Sequence, residues 1–225
     1  MCLTVICEQR VIIPNGHGEK LVGLLHRTSS KNLVILCHGF QATKASPYHP
    51  CFFAFRMTAS WLTLLMPSQR KELVLFGLIF LEMGGNAVLL YASKYHDVPA
   101  IVNISGRFAL EREDHASRCF GGCAGELQYR VSKASLDDRL STDTLFSSRA
   151  ISEDCRVLTI HGAKDEIVPA EDARQFAANI RNHELRIIAD ANHRYTGHRD
   201  ELASLVLGFL SSHPYQTTSR LRPRL

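Results

Sequence analysis

The sequence lacks any apolar run long enough to cross a membrane. The longest unbroken run covers residues 73–81, whereas a membrane-spanning helix needs about 20 apolar residues. Residues 1–10 carry no basic segment ahead of their apolar residues, so they do not resemble a secretory signal peptide. We therefore expect a protein with no membrane span.

Cysteine pairs of the C-x-x-C type are also absent. The seven cysteines are an odd number and are scattered, which is typical of a reducing compartment rather than of a disulfide framework. His115, Cys119 and Cys123 have a spacing that could place metal ligands on one helical face, but Gly121 and Gly122 weaken a helix there. We expect a cytoplasmic protein with no metal and no other cofactor.

Positive charge is not gathered into a stripe along the chain. The net charge is +4, and Arg220, Arg222 and Arg224 contribute to it close to the C-terminus. Short basic tails are typically frayed and solvated, so we assign residues 213–225 to a tail and expect no nucleic-acid partner. The remaining residues, 1–212, fit a single domain, whose oligomeric state the sequence leaves open.

Hydrophobic patterning predicts an alternation of strands and helices. Apolar stretches at 10–14 and 21–26 flank a turn-rich segment and predict an antiparallel hairpin. Further strands are predicted at 32–37, 99–105, 156–162 and 184–189, and helices at 84–96, 169–180 and 201–210. This order favours an α/β fold, a mostly parallel sheet flanked by helices.

Two segments of this pattern have features of their own. The first predicted helix places an apolar group on one face, namely Val88, Tyr91, Ala92 and Tyr95. Residues 107–152, which we call the lid segment, are polar and irregular in pattern. We interpret them as a lid-like insertion.

Three polar segments follow predicted strands, at residues 38–40, 161–169 and 190–195. The carboxyl ends of parallel strands meet at one edge of a sheet, where open α/β sheets bind their ligands. The segments offer a turn with free backbone N–H groups, an acid at Asp165 and an imidazole at His193. A lone histidine is most often structural, but an acid ahead of it in the chain favours a catalytic pair.

On these motifs the chain resembles α/β hydrolases of the serine-aminopeptidase, monoglyceride-lipase-like group, and among them the soluble plant members. The H-G-F, H-G-x-x-D-x-x-V-P and N-H-x-[FY] motifs of that group match residues 38–40, 161–169 and 192–195. The resemblance implies a serine hydrolase acting on carboxylic esters or on small acyl or peptide substrates. It implies that Asp165 is the acid, that His193 is the general base, and that the Phe40 N–H is one oxyanion donor.

The chain departs from this group at the nucleophile. The group carries a strained G-x-S-x-G-G turn that lifts a serine above the sheet. Matching its glycine pair to Gly84 and Gly85 places Glu82 at the serine position and makes the Met83 N–H the second oxyanion donor, while Phe80 replaces the turn glycine. A carboxylate can act as a nucleophile, but glutamate is one methylene longer than the aspartate that members of this fold use.

Two functions follow from this departure. The first is a hydrolase relative that retains the acid and the base but has little or no turnover. The alternative is a non-catalytic ligand-binding or interaction protein that keeps the pocket beneath the lid segment. A small ester or acyl ligand is the expected partner in both.

A strand that the group carries before its nucleophile turn, ending in D-x-x-G-x-G, is also missing. If residues 61–84 are read from the third base of the Trp61 codon, one set of permitted codons ends in F-R-F-D-F-S-G-N-G, which resembles that strand and turn. We interpret residues 45–83 as atypical and, from about residue 50, out of frame, through alternative splicing, a pseudogene or an error in the assigned gene structure. Natural divergence of a loop is the alternative.

The loss of that strand and of the nucleophile turn has consequences for the sheet. The apolar run at 73–81 is expected to take the position of the central strand that, in that group, normally ends at the serine. The N-terminal hairpin is expected to lack its usual neighbour in the sheet.

Overall fold

The computed structural model describes residues 8–14, 20–26, 32–36, 74–78, 83–111 and 133–212. The strands are β1 (Glu8–Pro14), β2 (Lys20–His26), β3 (Asn32–Leu36), β4 (Val74–Leu78), β5 (Ala100–Ile104), β6 (Arg156–Gly162) and β7 (His183–Ile188). The helices are α1 (Met83–Tyr95), α2 (Lys133–Leu140), α3 (Thr144–Ala150), α4 (Ala170–Asn179) and α5 (Arg199–Ser211).

Five of the strands form one parallel sheet in the order β3-β4-β5-β6-β7. β5 is buried along its whole length, and β6 is buried at every residue except the first. Burial on both faces is typical of parallel strands covered by helices. The predicted α/β class is therefore confirmed. No helix in the described ranges is long and apolar enough to span a bilayer.

The N-terminal hairpin stands apart from this sheet. β1 and β2 pair with each other antiparallel and form a separate two-stranded sheet. Among the described residues neither strand pairs with β3, as expected if one strand is missing. β4 comes from the apolar run at 73–81 and lies between β3 and β5, so it is second from the β3 edge of the five-stranded sheet and not its middle strand. The rest of residues 45–83, apart from Met83, lies outside the described residues, so the frame interpretation stays a prediction.

Helices cover both faces of the sheet. One core cluster packs α5 against β5 and β6 and includes Val102, Ile160, Leu202, Val206 and Phe209. The other packs α1 and α4 against the opposite face and includes Leu89, Ala92, Ile101, Val157 and Phe176. Neighbouring residues of one strand contribute to opposite clusters because side chains alternate across a sheet. Each large apolar side chain that is fully buried contributes about 1.5–3 kcal/mol.

Only part of the apolar face predicted for α1 is buried. Val88 and Ala92 are buried as expected, together with Leu89, but Tyr91 and Tyr95 are exposed. The tyrosine rings stack on each other on the outside of the helix, with 4.6 Å between their centroids. Burying a leucine side chain stabilises the fold more than burying a tyrosine, because a buried tyrosine hydroxyl needs a polar partner.

The lid segment is more regular than its sequence pattern predicted. It contains α2 and α3, and it begins with Arg107, whose side chain is buried. In α3 the polar Ser148 is buried and the apolar Phe146 is exposed. Burial therefore does not follow hydrophobicity in this helix, and an apolar stripe could not reveal it. Asp143 caps α3 by accepting a hydrogen bond from the Phe146 N–H. Residues 112–132 lie outside the described residues, and the lid role stays a prediction.

The Asn103 side chain of β5 lies very close to Gly85 of α1. Its side chain is fully buried, and its Oδ1 lies where a Cβ added at Gly85 would approach it to 2.3 Å. A Cβ added at Gly106 would approach the same oxygen to 2.1 Å. Real Cβ atoms do not come this close to an oxygen. A side chain at position 85 would therefore force the buried Asn103 side chain to shift, so this contact favours glycine in the first turn of α1.

Two helical glycines provide a matched test of this contact. We expect Gly85→Ala to lower the free energy of unfolding by about 1–3 kcal/mol, the usual cost of overpacking. Gly208→Ala in α5 should instead raise it by about 0.5–1 kcal/mol, because nothing lies within 4 Å of the added Cβ. Urea unfolding measures both values. Asn103→Ala should relieve part of the Gly85→Ala loss, and a stabilising Gly85→Ala would contradict the contact.

Candidate active site

Asp165 lies in the loop that joins β6 to α4, at the carboxyl edge of the sheet. Its side chain is fully buried. Oδ1 accepts hydrogen bonds from the backbone N–H groups of Ile167 at 2.9 Å and Val168 at 2.8 Å. A short acidic side chain that bonds to the backbone two and three residues ahead stabilises a tight turn. The orientation of the carboxylate is therefore set by its own loop.

His193 lies in the loop after β7 and meets this carboxylate. Its Nδ1 is 2.8 Å from Oδ2 of Asp165 and 2.9 Å from Oδ1. An ionised carboxylate can only accept, so Nδ1 carries a proton and Nε2 is the nitrogen that can exchange a proton with a ligand. The His193 backbone N–H donates to Oε2 of Glu166 at 3.1 Å. The two predicted site residues are thus brought together, whereas their catalytic role stays a prediction.

A second imidazole borders the same carboxylate. His161 is fully buried in β6, and its Nε2 lies 2.9 Å from the Val168 carbonyl oxygen and 3.4 Å from Oδ2 of Asp165. A carbonyl oxygen only accepts, so Nε2 carries the proton. Nδ1 has no hydrogen-bond partner within the described ranges. The sequence predicted no role for His161 beyond its place in the H-G-x-x-D motif. Its position four residues before Asp165 was nevertheless a sign that the two side chains could meet.

These contacts decide the charge of Asp165. Burial raises the pKa of its carboxyl group, but hydrogen bonds from His161 and His193, the charge of His193 and the Val168 N–H outweigh burial. The pKa of Asp165 is therefore lowered well below its usual range. An ionised carboxylate at this position accepts from Nδ1 of His193 and orients its ring.

Tyr195 anchors the loop that carries His193. Its hydroxyl donates to the Ile160 carbonyl oxygen at 3.1 Å and accepts from the Ser105 hydroxyl at 2.9 Å. Tyr195 and Ser105 both adopt left-handed backbone conformations, with φ of 52° and 51°. Such conformations are costly for residues other than glycine and persist where surrounding contacts enforce them. The end of β6 and the histidine loop are thus tied together beneath the site.

Gly162 allows the histidine loop to cross the end of β6. A Cβ added at Gly162 would lie 2.3 Å from the Ala191 carbonyl oxygen. The Lys164 N–H donates to the same oxygen at 3.0 Å. The glycine of the H-G-x-x-D motif therefore has a packing reason here.

The nucleophile side of the site is described only in part. Met83 is the first residue of α1, so its N–H is one of those that a helix leaves without an intrahelical partner. That position suits an oxyanion donor, but the role stays a prediction. Phe40 and Glu82 lie outside the described residues. The three residues considered as possible metal ligands also lie outside them, namely His115, Cys119 and Cys123. Within the described ranges no cluster of His, Cys, Asp and Glu has the arrangement of a metal site.

No family model and no curated protein matches this sequence, but solved structures match the fold. The chain superposes on Est1E from Butyrivibrio proteoclasticus with a TM-score of 0.66 and 17% identity, covering 90% of this chain and 98% of that one. The α/β hydrolase GrgF from Penicillium sp. sh18 gives 0.70 and 18%, covering 92% and 99%. The Pyrococcus furiosus esterase Pf2001 gives 0.67 and 17%, covering 92% and 91%. At these identities the likeness establishes the fold, which is that of the α/β hydrolases.

Asp165→Asn tests the hydrogen bond between the acid and the base. The asparagine oxygen can still accept from the backbone N–H groups of Ile167 and Val168, so the loop should persist. The asparagine NH₂ is a donor, however, and we expect His193 to move its proton to Nε2. Long-range ¹H–¹⁵N NMR of the imidazole reads this tautomer. Asp190→Asn removes a charge that is exposed and pairs with Lys164, and it should leave the His193 tautomer unchanged. An unchanged tautomer in Asp165→Asn would refute the bond.

The lowered pKa of Asp165 also gives a pH dependence. The ionised form is favoured in the folded state, so its contribution to stability is complete above the ordinary aspartate pKa of about 4. The contribution is lost as the pH falls below that value. We therefore expect the gap in free energy of unfolding between wild type and Asp165→Asn to narrow from neutral pH to about pH 3, measured by urea unfolding. A gap that widens on acidification would contradict the lowered pKa.

Proposed function

We propose that this chain derives from a serine hydrolase of carboxylic esters or small acyl or peptide substrates and has little or no turnover itself. The hydrogen bond between Asp165 and His193 carries the proposal. It lies at the carboxyl edge of an α/β-hydrolase sheet, and Nε2 of His193 has no hydrogen-bond partner among the described residues. The resemblance to the serine-aminopeptidase, monoglyceride-lipase-like group, with its plant members, supports this class of substrate.

The chemistry explains why the missing serine matters. In a complete triad the imidazole Nε2 takes the proton of the serine hydroxyl while its oxygen attacks the ester carbonyl. The imidazolium then protonates the leaving alcohol, and water releases the acyl group from the serine. An ionised acid partner stabilises the imidazolium throughout, which is the role we assign to Asp165 beside His193.

The residue at the serine position cannot take this role directly. Glu82 offers a carboxylate, which has no proton for His193 to remove, and no turn glycine precedes it. His193 could still polarise a water molecule, but without a covalent route the rate falls steeply. In subtilisin, removal of the nucleophile serine lowers kcat by about 10⁶-fold. We assign Phe40 and Met83 as the backbone donors that would face the oxyanion.

The frame interpretation supports the loss of the nucleophile serine rather than its replacement by Glu82 as a new nucleophile. In the shifted frame of residues 61–84, one permitted set of codons gives a strand and a glycine turn of the kind that precedes the serine in this group. We therefore propose that this chain is a cytoplasmic relative of an enzyme, with one domain at residues 1–212 that includes the lid segment at 107–152, and a basic tail at 213–225.

The proposal is tested by active-site labelling. We expect the chain to remain unlabelled by a fluorophosphonate probe and to hydrolyse p-nitrophenyl esters negligibly, because it has no activated hydroxyl. A restored variant, carrying the shifted-frame strand and a G-x-S-x-G-G turn in place of the atypical segment, should both label and hydrolyse short esters. His193→Ala in the restored variant should abolish both.

Two outcomes would overturn the proposal. If the chain itself hydrolyses p-nitrophenyl esters well and Glu82→Gln abolishes the activity, Glu82 is a working nucleophile. If a well-folded restored variant neither labels nor hydrolyses any short ester, descent from a serine hydrolase is wrong. Ligand-induced thermal stabilisation of that inactive variant would then favour a binding protein.

A further inference from the structure

A buried arginine lies beside the loop that holds the acid. Arg107 follows β5, and its side chain is only 1% exposed, among the largest fully buried side chains. Removing a guanidinium from water costs several kcal/mol unless its donors find acceptors in the protein. One such acceptor is the Ile167 carbonyl oxygen, to which Nη2 donates at 2.9 Å.

This acceptor belongs to the peptide group that orients Asp165. The Ile167 C=O and the Val168 N–H are two ends of one planar unit, which moves as a rigid body. Arg107 holds its carbonyl end, and its N–H end donates to Oδ1 of Asp165 at 2.8 Å. A rotation of this peptide away from Arg107 would therefore also withdraw a donor from the carboxylate.

The backbone of Arg107 is tied to the helix that begins beside the nucleophile position. Its N–H donates to Oδ1 of Asn86 at 3.0 Å, and its C=O accepts from Nδ2 of the same side chain at 2.6 Å. Asn86 lies in the first turn of α1. Arg107 thus spans from α1 to the acid loop.

We infer that Arg107 is a positioning residue, which sets the peptide between Ile167 and Val168 and through it the carboxylate of Asp165 relative to the start of α1. Arginine suits this role because its guanidinium stays charged and its planar fork has fixed donor directions. The catalytic meaning of that position rests on the proposed function. The geometric claim does not, and its test involves no turnover.

The test uses NMR signals of the site itself. In Arg107→Met we expect hydrogen exchange of the Val168 amide to accelerate by at least about tenfold, since a bond from a charged donor is lost. The downfield His193 Nδ1–H resonance, which reports its bond to the carboxylate, should shift or broaden. Arg107→Lys keeps the charge but not the fork, and should give a change of the same sign and smaller size.

Arg156→Met is the matched control. Arg156 also donates to a carbonyl oxygen, that of Phe209 at 3.4 Å, but it lies at the opposite end of β6. Its loss should lower the thermal midpoint while leaving the Val168 and His193 signals unchanged. If Arg107→Met does not fold, the same two signals in Arg107→Lys decide the question.

Two results would overturn the inference. The first is a folded Arg107 variant whose Val168 exchange and His193 resonance equal those of the wild type. The second is an equal change in Arg156→Met, which would mean that these signals follow overall stability. Failure of the proposed function would instead appear only in the labelling and hydrolysis of the restored variant.

Discussion

The buried negative charge of Asp165 is the constraint on which the described site depends. A carboxylate without water is tolerated only where donors replace its hydration. Two backbone N–H groups of its own loop and two imidazoles supply them. The tight turn after β6 and the orientation of His193 both follow from that requirement. Arg107 and Tyr195 contribute differently, by holding the backbone segments that present these donors.

The strands that position the Asp165 carboxylate are separate from the N-terminal hairpin. β5, β6 and β7 are adjacent and carry helices on both faces, so the loops at their carboxyl ends are held at fixed separations. The hairpin of β1 and β2 forms its own sheet. A change at the hairpin end of the fold therefore leaves the acid and the base in register.

Local pattern was sufficient for the strands and for the pairing of Asp165 with His193. Continuous apolar runs marked the strands, and motif spacing placed both residues at the same edge of the sheet. The face of α1 was predicted in part: Val88 and Ala92 are buried, but Tyr91 and Tyr95 are exposed because a buried tyrosine hydroxyl needs a polar partner. The helices of the lid segment lack an apolar stripe. Arg107 was missed because arginine is normally exposed, and only tertiary contacts reveal why this one is buried.

The short path along the chain from acid to base has a consequence for how the molecule is made. Asp165 and His193 are separated by 28 positions, and one helix and one strand lie between them. Closing so short a loop costs little entropy, and contacts of low sequence separation form early in folding. This corner can therefore assemble before the distant N-terminal strands are recruited. The residues from the acid to the base are contiguous in the sequence and lie wholly after the atypical segment at 45–83, so a change within that segment leaves their own sequence intact.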